Sequence, residues 1–407
     1  MKTSRIIALA SLLAFGIQIA FALLMLRWFA PHEVGEFSVI SQIGFFWMTL
    51  ALAQAPLSLL ANQQTSAAQA AQQAWIDSLM RSMGLVPAAM LAVWFSQLAL
   101  WPTFLWVALL AVCQMTWLLA QSFTLRSGTT WQQINVRVLP PLTAALTALA
   151  GALWGDALGW SGPTLVVAAL LGYALGTTWL WPAWQRTPPI ERQAHTHAQA
   201  QAQPTQASSD TRSMALRMTH TLVDALLATA VVVVWQRLYG AEETGWMSAL
   251  LRVLGFLPAV VHMAWAQVAL AQGDTQQTPR ASASATPWWL GLGAFVIVMA
   301  LGTACAAALE QEWLSPQWAG VWHYIAPLVL WQGCACLSAA FSHRPFQTRS
   351  ASAYSWACIG LALLQALVLL APITWGNAWS AEQHMWFFAA LSSMGLLMLA
   401  AWMARLR

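Results

Sequence analysis

Residues 27–46, RWFAPHEVGEFSVISQIGFF, and residues 237–256, RLYGAEETGWMSALLRVLGF, decide how this chain is built. Laid over each other at an offset of 210 (237 − 27), they match without a gap at Arg27 and Arg237, Glu33 and Glu243, Gly35 and Gly245, Ser38 and Ser248, and Phe46 and Phe256. Leu60 and Ala61 continue the match at Leu270 and Ala271. Each stretch closes one long apolar run and opens the next, so a helix–turn–helix is written twice in one chain.

The solvent around those helices is set by composition. Of 407 residues, 59% are hydrophobic and 7% charged, against roughly 25% charged in a soluble domain, so the chain cannot dress an ordinary water-facing surface. Apolar runs of about 20 residues, the thickness of a hydrocarbon core at 1.5 Å per residue, recur along the whole length. They fall near 6–29, 37–61, 82–100, 103–125, 138–158, 163–184, 214–238, 246–271, 288–309, 323–341, 351–371 and 384–404. The expected fold is therefore an all-α integral membrane protein of about twelve transmembrane helices. The first run follows Lys2 and Arg5 but is too long for a cleaved leader, and is read as a retained helix. Many of the 27 tryptophans, among them Trp28, Trp101, Trp181, Trp184, Trp246 and Trp288, mark span ends, where the indole suits the headgroup layer.

Basic residues orient the bundle. With a cytoplasmic N-terminus, the inside segments collect Lys2, Arg5, Arg81, Arg126, Arg137, Arg186, Arg192, Arg212, Arg217, Arg280, Arg344, Arg349, Arg405 and Arg407, leaving three of the 17 elsewhere. Both termini are expected in the cytoplasm of a bacterial cell, with the chain in the inner membrane. Residues 185–213, rich in Gln, Ala, Pro and Ser, read as a flexible cytoplasmic linker between a six-helix lobe at 1–184 and a second at 214–407. An offset of six spans preserves direction through the bilayer, so the lobes are expected to be parallel repeats around a central cavity.

The outer loops are too short for a catalytic domain, and the sequence holds no Walker loop, no His-Glu-x-x-His and no Gly-x-Ser-x-Gly. No catalytic residue, no cofactor, no metal and no nucleic acid is expected. His195 and His197 in the linker lack further ligands, and the five cysteines all lie within apolar spans as packing residues.

Charge inside a span is costly and marks candidate function. Arg217, His220, Thr221 and Asp224 share one face of the seventh span. Two readings stand for them: a substrate-gating and ion-coupling group, with Asp224 and His220 exchanging H+ or binding Na+, or a local ion pair anchoring the helix end. Arg252, in the eighth span, aligns with Gln42 of the second (252 − 210). Facing a cavity, its guanidinium would grip a pyrophosphate or acidic sugar; otherwise it snorkels to the interface. Arg27 with Glu33, and Arg237 with Glu243, read as ion pairs across each outer hairpin or as a release-side contact for a glycan phosphate, and Gly35 and Gly245 as turn residues. Pro56 and Pro258 are each expected to bend their helices.

The turn Arg27-Trp-Phe-Ala-Pro-His-Glu-Val-Gly-Glu-Phe-Ser38 resembles the R-x-L-G-P-E-E-F-G-x-F/Y-S hairpin of polysaccharide flippases in the MOP exporter superfamily, the Wzx-like O-antigen and lipid-linked oligosaccharide translocases. Leu222-Val-Asp224 and Tyr239-Gly-Ala-Glu-Glu-Thr-Gly245 are similar to the family's pattern in the second half. The resemblance implies movement of a polyprenyl-linked glycan to the outer face by alternating access, in contact with membrane lipids and with glycan polymerase or glycosyltransferase partners. Two other readings remain: an ion-coupled drug or metabolite exporter of the same superfamily, and a non-transporting scaffold of a glycan-assembly complex.

Overall fold

The computed structural model describes residues 2–53, 55–61, 65–155, 157, 163–185, 207–266, 285–348, 350–375 and 379–406. Among them every regular element is helical. Among the described residues nine helices are long and apolar enough to cross a membrane, ten when the pair Ala67–Gly84 and Val86–Phe95, bent by 50°, is taken as one broken span. The chain is a multi-pass membrane protein. The difference from twelve has two sources. The run Ala207–Leu254 joins the seventh and eighth expected spans across a non-helical residue, Gly240. The first helix, Lys2–Trp28, is 27 residues long and stands outside the ten only because most of its side chains before Leu13 lie outside the described residues.

Lipid-facing surfaces are frankly apolar: Trp289 is 74% exposed, Trp101 70% and Leu367 67%. Facing helices gain little from burying such groups, because lipid is as apolar as a protein core, and close packing must hold them instead. Alanines accordingly fill the contacts, with Ala111, Ala120, Ala148, Ala168, Ala183, Ala340 and Ala389 buried.

The chain divides into two compact units. The first holds residues 1–24 and 36–215; the second holds 25–35 and 216–407. Within the first, Leu100–Ser127 packs on the bent third span and on Thr164–Thr177, which also packs on Thr130–Trp154. Within the second, Trp322–Phe341 packs on Thr286–Glu310 and on Ala381–Arg405, which also packs on Ala351–Trp375. Both units thus pair their third span with the fourth, the fourth with the sixth and the fifth with the sixth. The repeat read from the hairpins extends to internal packing.

Side chains bond backbone at several helix ends and breaks. Arg126 donates to the carbonyls of Leu59, at 2.9 Å, and Thr65. Gln72 donates to Ala183 O at 2.9 Å, and Trp117 Nε1 to Val136 O at 2.7 Å. Thr129 with Gln132 and Ser380 with Gln383 form capping boxes that begin their helices. Pro56 and Pro258 each sit near the start of a short helical segment, Ala55–Ala61 and Phe256–Val260. The second and eighth spans are therefore interrupted just ahead of these prolines. Residues 186–206, which include His195 and His197, lie outside the described residues, and 207–213 are helical.

One reading changes. Gly35 and Gly245 are not turn residues: both are helical, and Gly240 alone among the described glycines has a positive φ. A methyl group at Gly35 would overlap the carbonyl oxygen of Ala241, and one at Gly245 would overlap that of Pro31. Ala241 is the repeat equivalent of Pro31 (31 + 210), just as Gly245 is of Gly35, so each glycine packs against the position equivalent to the other's neighbour. The two hairpins cross there with near twofold reciprocity, inside the second unit. That close approach also explains why residues 25–35 belong to this unit.

Gly35→Ala and Gly245→Ala should each destabilise the protein by at least about 1–3 kcal/mol, the usual cost of overpacking. Thermal unfolding of the purified protein measures this, with Gly84→Ala, which meets open space, as the neutral control. A wild-type midpoint for both crossing variants would refute the close approach.

Candidate functional site

Two polar groups lie inside the second unit. The first gathers at the end expected to be cytoplasmic. His220 Nε2 and Asp224 Oδ2 are 3.0 Å apart, one helical turn from each other, with Asp224 more than half exposed. The ring of Tyr354 lies edge-on to His220 at 5.7 Å. His262, within electrostatic reach of that pair, has its Nδ1 2.9 Å from Ser342 Oγ. The structure thus brings His220 and Asp224 together. Arg217 lies on the same helix, but its side chain is outside the described residues.

Arg252 is half-buried in the last turn of the run Ala207–Leu254. Its repeat counterpart Gln42 is half-buried in Pro31–Leu52, in the first unit.

At the first hairpin, Arg27 donates to the Trp313 carbonyl at 2.5 Å. Glu33 accepts from the Ala30 amide at 2.8 Å, so its carboxylate satisfies a free N–H at the start of Pro31–Leu52. The expected Arg27–Glu33 ion pair is therefore replaced by two bonds to backbone. Trp318 Nε1 donates to Phe29 O at 3.2 Å and fixes the same turn.

The second polar group surrounds the other hairpin. Trp235 Nε1 donates to the Tyr324 hydroxyl at 3.0 Å, and that hydroxyl donates to the Glu243 carboxylate. Tyr239 Oη lies 3.0 Å from His384 Nδ1, while His384 Nε2 lies 3.1 Å from the Val368 carbonyl. A carbonyl only accepts, so Nε2 carries the proton and Nδ1 of the neutral ring accepts from Tyr239. His384 is fully buried and stacks on Trp235, with ring centroids 4.7 Å apart and planes 25° off parallel. At the rim, half-exposed His323 and Glu382 pair at 3.2 Å.

The sequence reading missed Tyr324 and His384. The available signal was a histidine at the margin of the last span, since ionisable groups in or beside spans are rare and seldom idle. Among the described residues no group of three or more His, Cys, Asp or Glu is placed to hold a metal ion.

The chain matches no protein-family model and no curated protein sequence. Solved structures do match it. The lipid II flippase MurJ in an inward closed conformation superposes with a TM-score of 0.68 over 97% of this chain and 86% of that one, at 10% identity. The chain shares its fold with MurJ. A eukaryotic MATE transporter, AtDTX14, superposes with a TM-score of 0.50 over 100% of this chain and 94% of that one, at 13% identity. The match runs over nearly the whole chain. At this identity the likeness concerns the fold, and substrate and coupling must be argued from side chains.

Tyr324→Phe should cost about 1–3 kcal/mol, because it leaves the buried Trp235 N–H and the Glu243 carboxylate without their shared partner. Unfolding of the purified variant measures the loss. A stability equal to wild type would show that these groups find other partners.

Proposed function

We propose that this chain is a transporter that moves a polyprenyl-linked oligosaccharide from the cytoplasmic to the outer face of a bacterial inner membrane by alternating access. The observation that carries the reading is the MurJ-like fold over 97% of the chain, joined to hairpin residues that resemble polysaccharide flippases. The halves 1–184 and 214–407 act as the two moving lobes, connected by the cytoplasmic linker 185–213, and both termini face the cytoplasm.

The chemistry asked of such a protein is modest. Nothing is bonded or cleaved; a polar headgroup must be held off the hydrocarbon while its lipid tail stays in the bilayer. Arg252 offers a guanidinium for a diphosphate, and Gln42 and Arg217 are each, separately, candidates for polar contact with the substrate. His220 and Asp224 form the candidate ion-coupling pair: a carboxylate and an imidazole 3.0 Å apart share a proton readily and would exchange it as the site changes exposure. A second reading, an ion-coupled exporter of drugs or metabolites, is favoured by the likeness to a MATE transporter and by this same pair. A glycan-assembly scaffold without transport is the third.

Deleting the gene should leave lipid-linked oligosaccharide on the cytoplasmic face, with surface polysaccharide lost and both restored by the intact chain. Unchanged glycan export would reject this reading in favour of the exporter or scaffold. Arg252→Ala at matched expression should slow transport roughly 10- to 100-fold, the kinetic equivalent of losing one charge-assisted bond of about 1.5–3 kcal/mol. Full activity would remove Arg252 from the substrate path.

A further inference from the structure

Gly240 interrupts an otherwise helical run, Ala207–Leu254, with φ 85° and ψ −178°. That backbone region belongs essentially to glycine, and side chains there are strained. A Cβ at Gly240 would meet nothing within 4 Å, so the need for glycine is one of backbone angle and not of space. Its repeat counterpart is Ala30 (240 − 210), where the chain also leaves the helix, between Lys2–Trp28 and Pro31–Leu52, but without a positive φ, so the second hairpin differs in turning at a left-handed glycine.

The chain is held differently on the two sides of Gly240. On the C-terminal side, Ala241 and Gly245 are locked in the crossing with Gly35 and Pro31, Glu243 accepts from Tyr324, and Thr244 Oγ1 donates to Gly240 O at 2.7 Å. On the N-terminal side, the hydroxyl of Tyr239 is held by His384, which is oriented in turn by Val368 O and the stack on Trp235, and fully buried Trp235 donates to Tyr324, the hydroxyl that also bonds Glu243 across the pivot. We propose that Gly240 is the pivot of a swinging arm, residues 216–239, with the hairpin crossing as its fixed base and the Tyr239–His384 bond as its latch.

The arm has leverage. Twenty residues of helix separate Gly240 from His220, about 30 Å at 1.5 Å per residue, so a 10° turn at the pivot carries the His220–Asp224 pair about 5 Å. His384 and Tyr239 are thus positioning residues, acting on the polar pair at the far end of the arm without touching it. The purpose given to this motion rests on the transport reading; the motion itself does not.

The test uses the full chain in lipid nanodiscs, with the five native cysteines replaced by alanine and spin labels at Met218→Cys and Trp356→Cys, both exposed sites in the second unit. Electron–electron double resonance should give one narrow distance with the native pivot and latch. Tyr239→Phe, which removes only the hydroxyl, should add a second distance several ångströms away. Gly240→Ala should move most molecules to a new distance. A structural role without a pivot predicts lower thermal stability with the single distance kept. That outcome in Tyr239→Phe overturns the proposal even if Gly240→Ala fails to fold, and so does an unchanged distance in a stable Gly240→Ala. Distances that shift as expected in a protein that exports no glycan would leave the pivot standing and reject the transport reading alone.

Discussion

The second unit depends on the reciprocal crossing of two hairpins, Gly35 against Ala241 and Gly245 against Pro31. In water an apolar face drives helices together whatever their detailed shape; in lipid that drive is nearly absent, and contact must come from fit. Glycine permits the closest fit, because backbone meets backbone. A duplicated hairpin can satisfy this requirement with a single solution used twice, each copy offering its glycine to the position equivalent to the other's proline or alanine. The segment 25–35 thereby joins the second unit although it lies more than 180 residues ahead of it in sequence.

What the two copies share and what they do not are physically distinct. Arg27, Glu33 and Gly35 recur as Arg237, Glu243 and Gly245, the residues of the turn and crossing. Around them the copies part: Met25 stands where Trp235 does, Phe29 where Tyr239 does, and Ala30 where Gly240 does. Each change in the second copy introduces a hydrogen-bonding group or frees the backbone. Trp235 then needs Tyr324, and Tyr239 needs His384, because a polar group buried in this setting is costly without a partner. The first copy, apolar at these places, needs no such partners and bonds through backbone carbonyls at Phe29 and Trp313.

These differences decide how much was legible in the sequence. Span positions, the repeat and the His220–Asp224 pair follow from local rules: apolar run length, a fixed offset, and an i,i+4 spacing. The role of Gly35 did not, because a glycine at a predicted turn has an ordinary local explanation, and its true contact is some 200 residues away. Glu33 was assigned to Arg27 by proximity in sequence, while an unsatisfied amide at the helix start competed for the same carboxylate and won. Tyr324 and His384 carry no local signature; only the fold brings them to Trp235, Glu243 and Tyr239. Pro56 and Pro258 were legible as points of interruption, but the breaks fall just before them, where the chain must leave the helix to accommodate the ring.

A duplicated fold with identical halves would bend equally in both, and nothing in it would distinguish an arm from a base. A single residue of unusual backbone freedom in one copy removes that equality. Both copies leave the helix at this position, but Ala30 has no positive φ whereas Gly240 lies at φ 85°, so the proposed pivot belongs to the second hairpin, while the crossing one residue further on is closely packed. The length of the helix between the pivot and His220 is what would turn a small angular change into a displacement of several ångströms at the inner end. The polar network at Tyr239 and Trp235 then sets how often that change occurs, since the arm can leave its place only by giving up the Tyr239 bond to a fully buried histidine and disturbing the Trp235 bond to Tyr324.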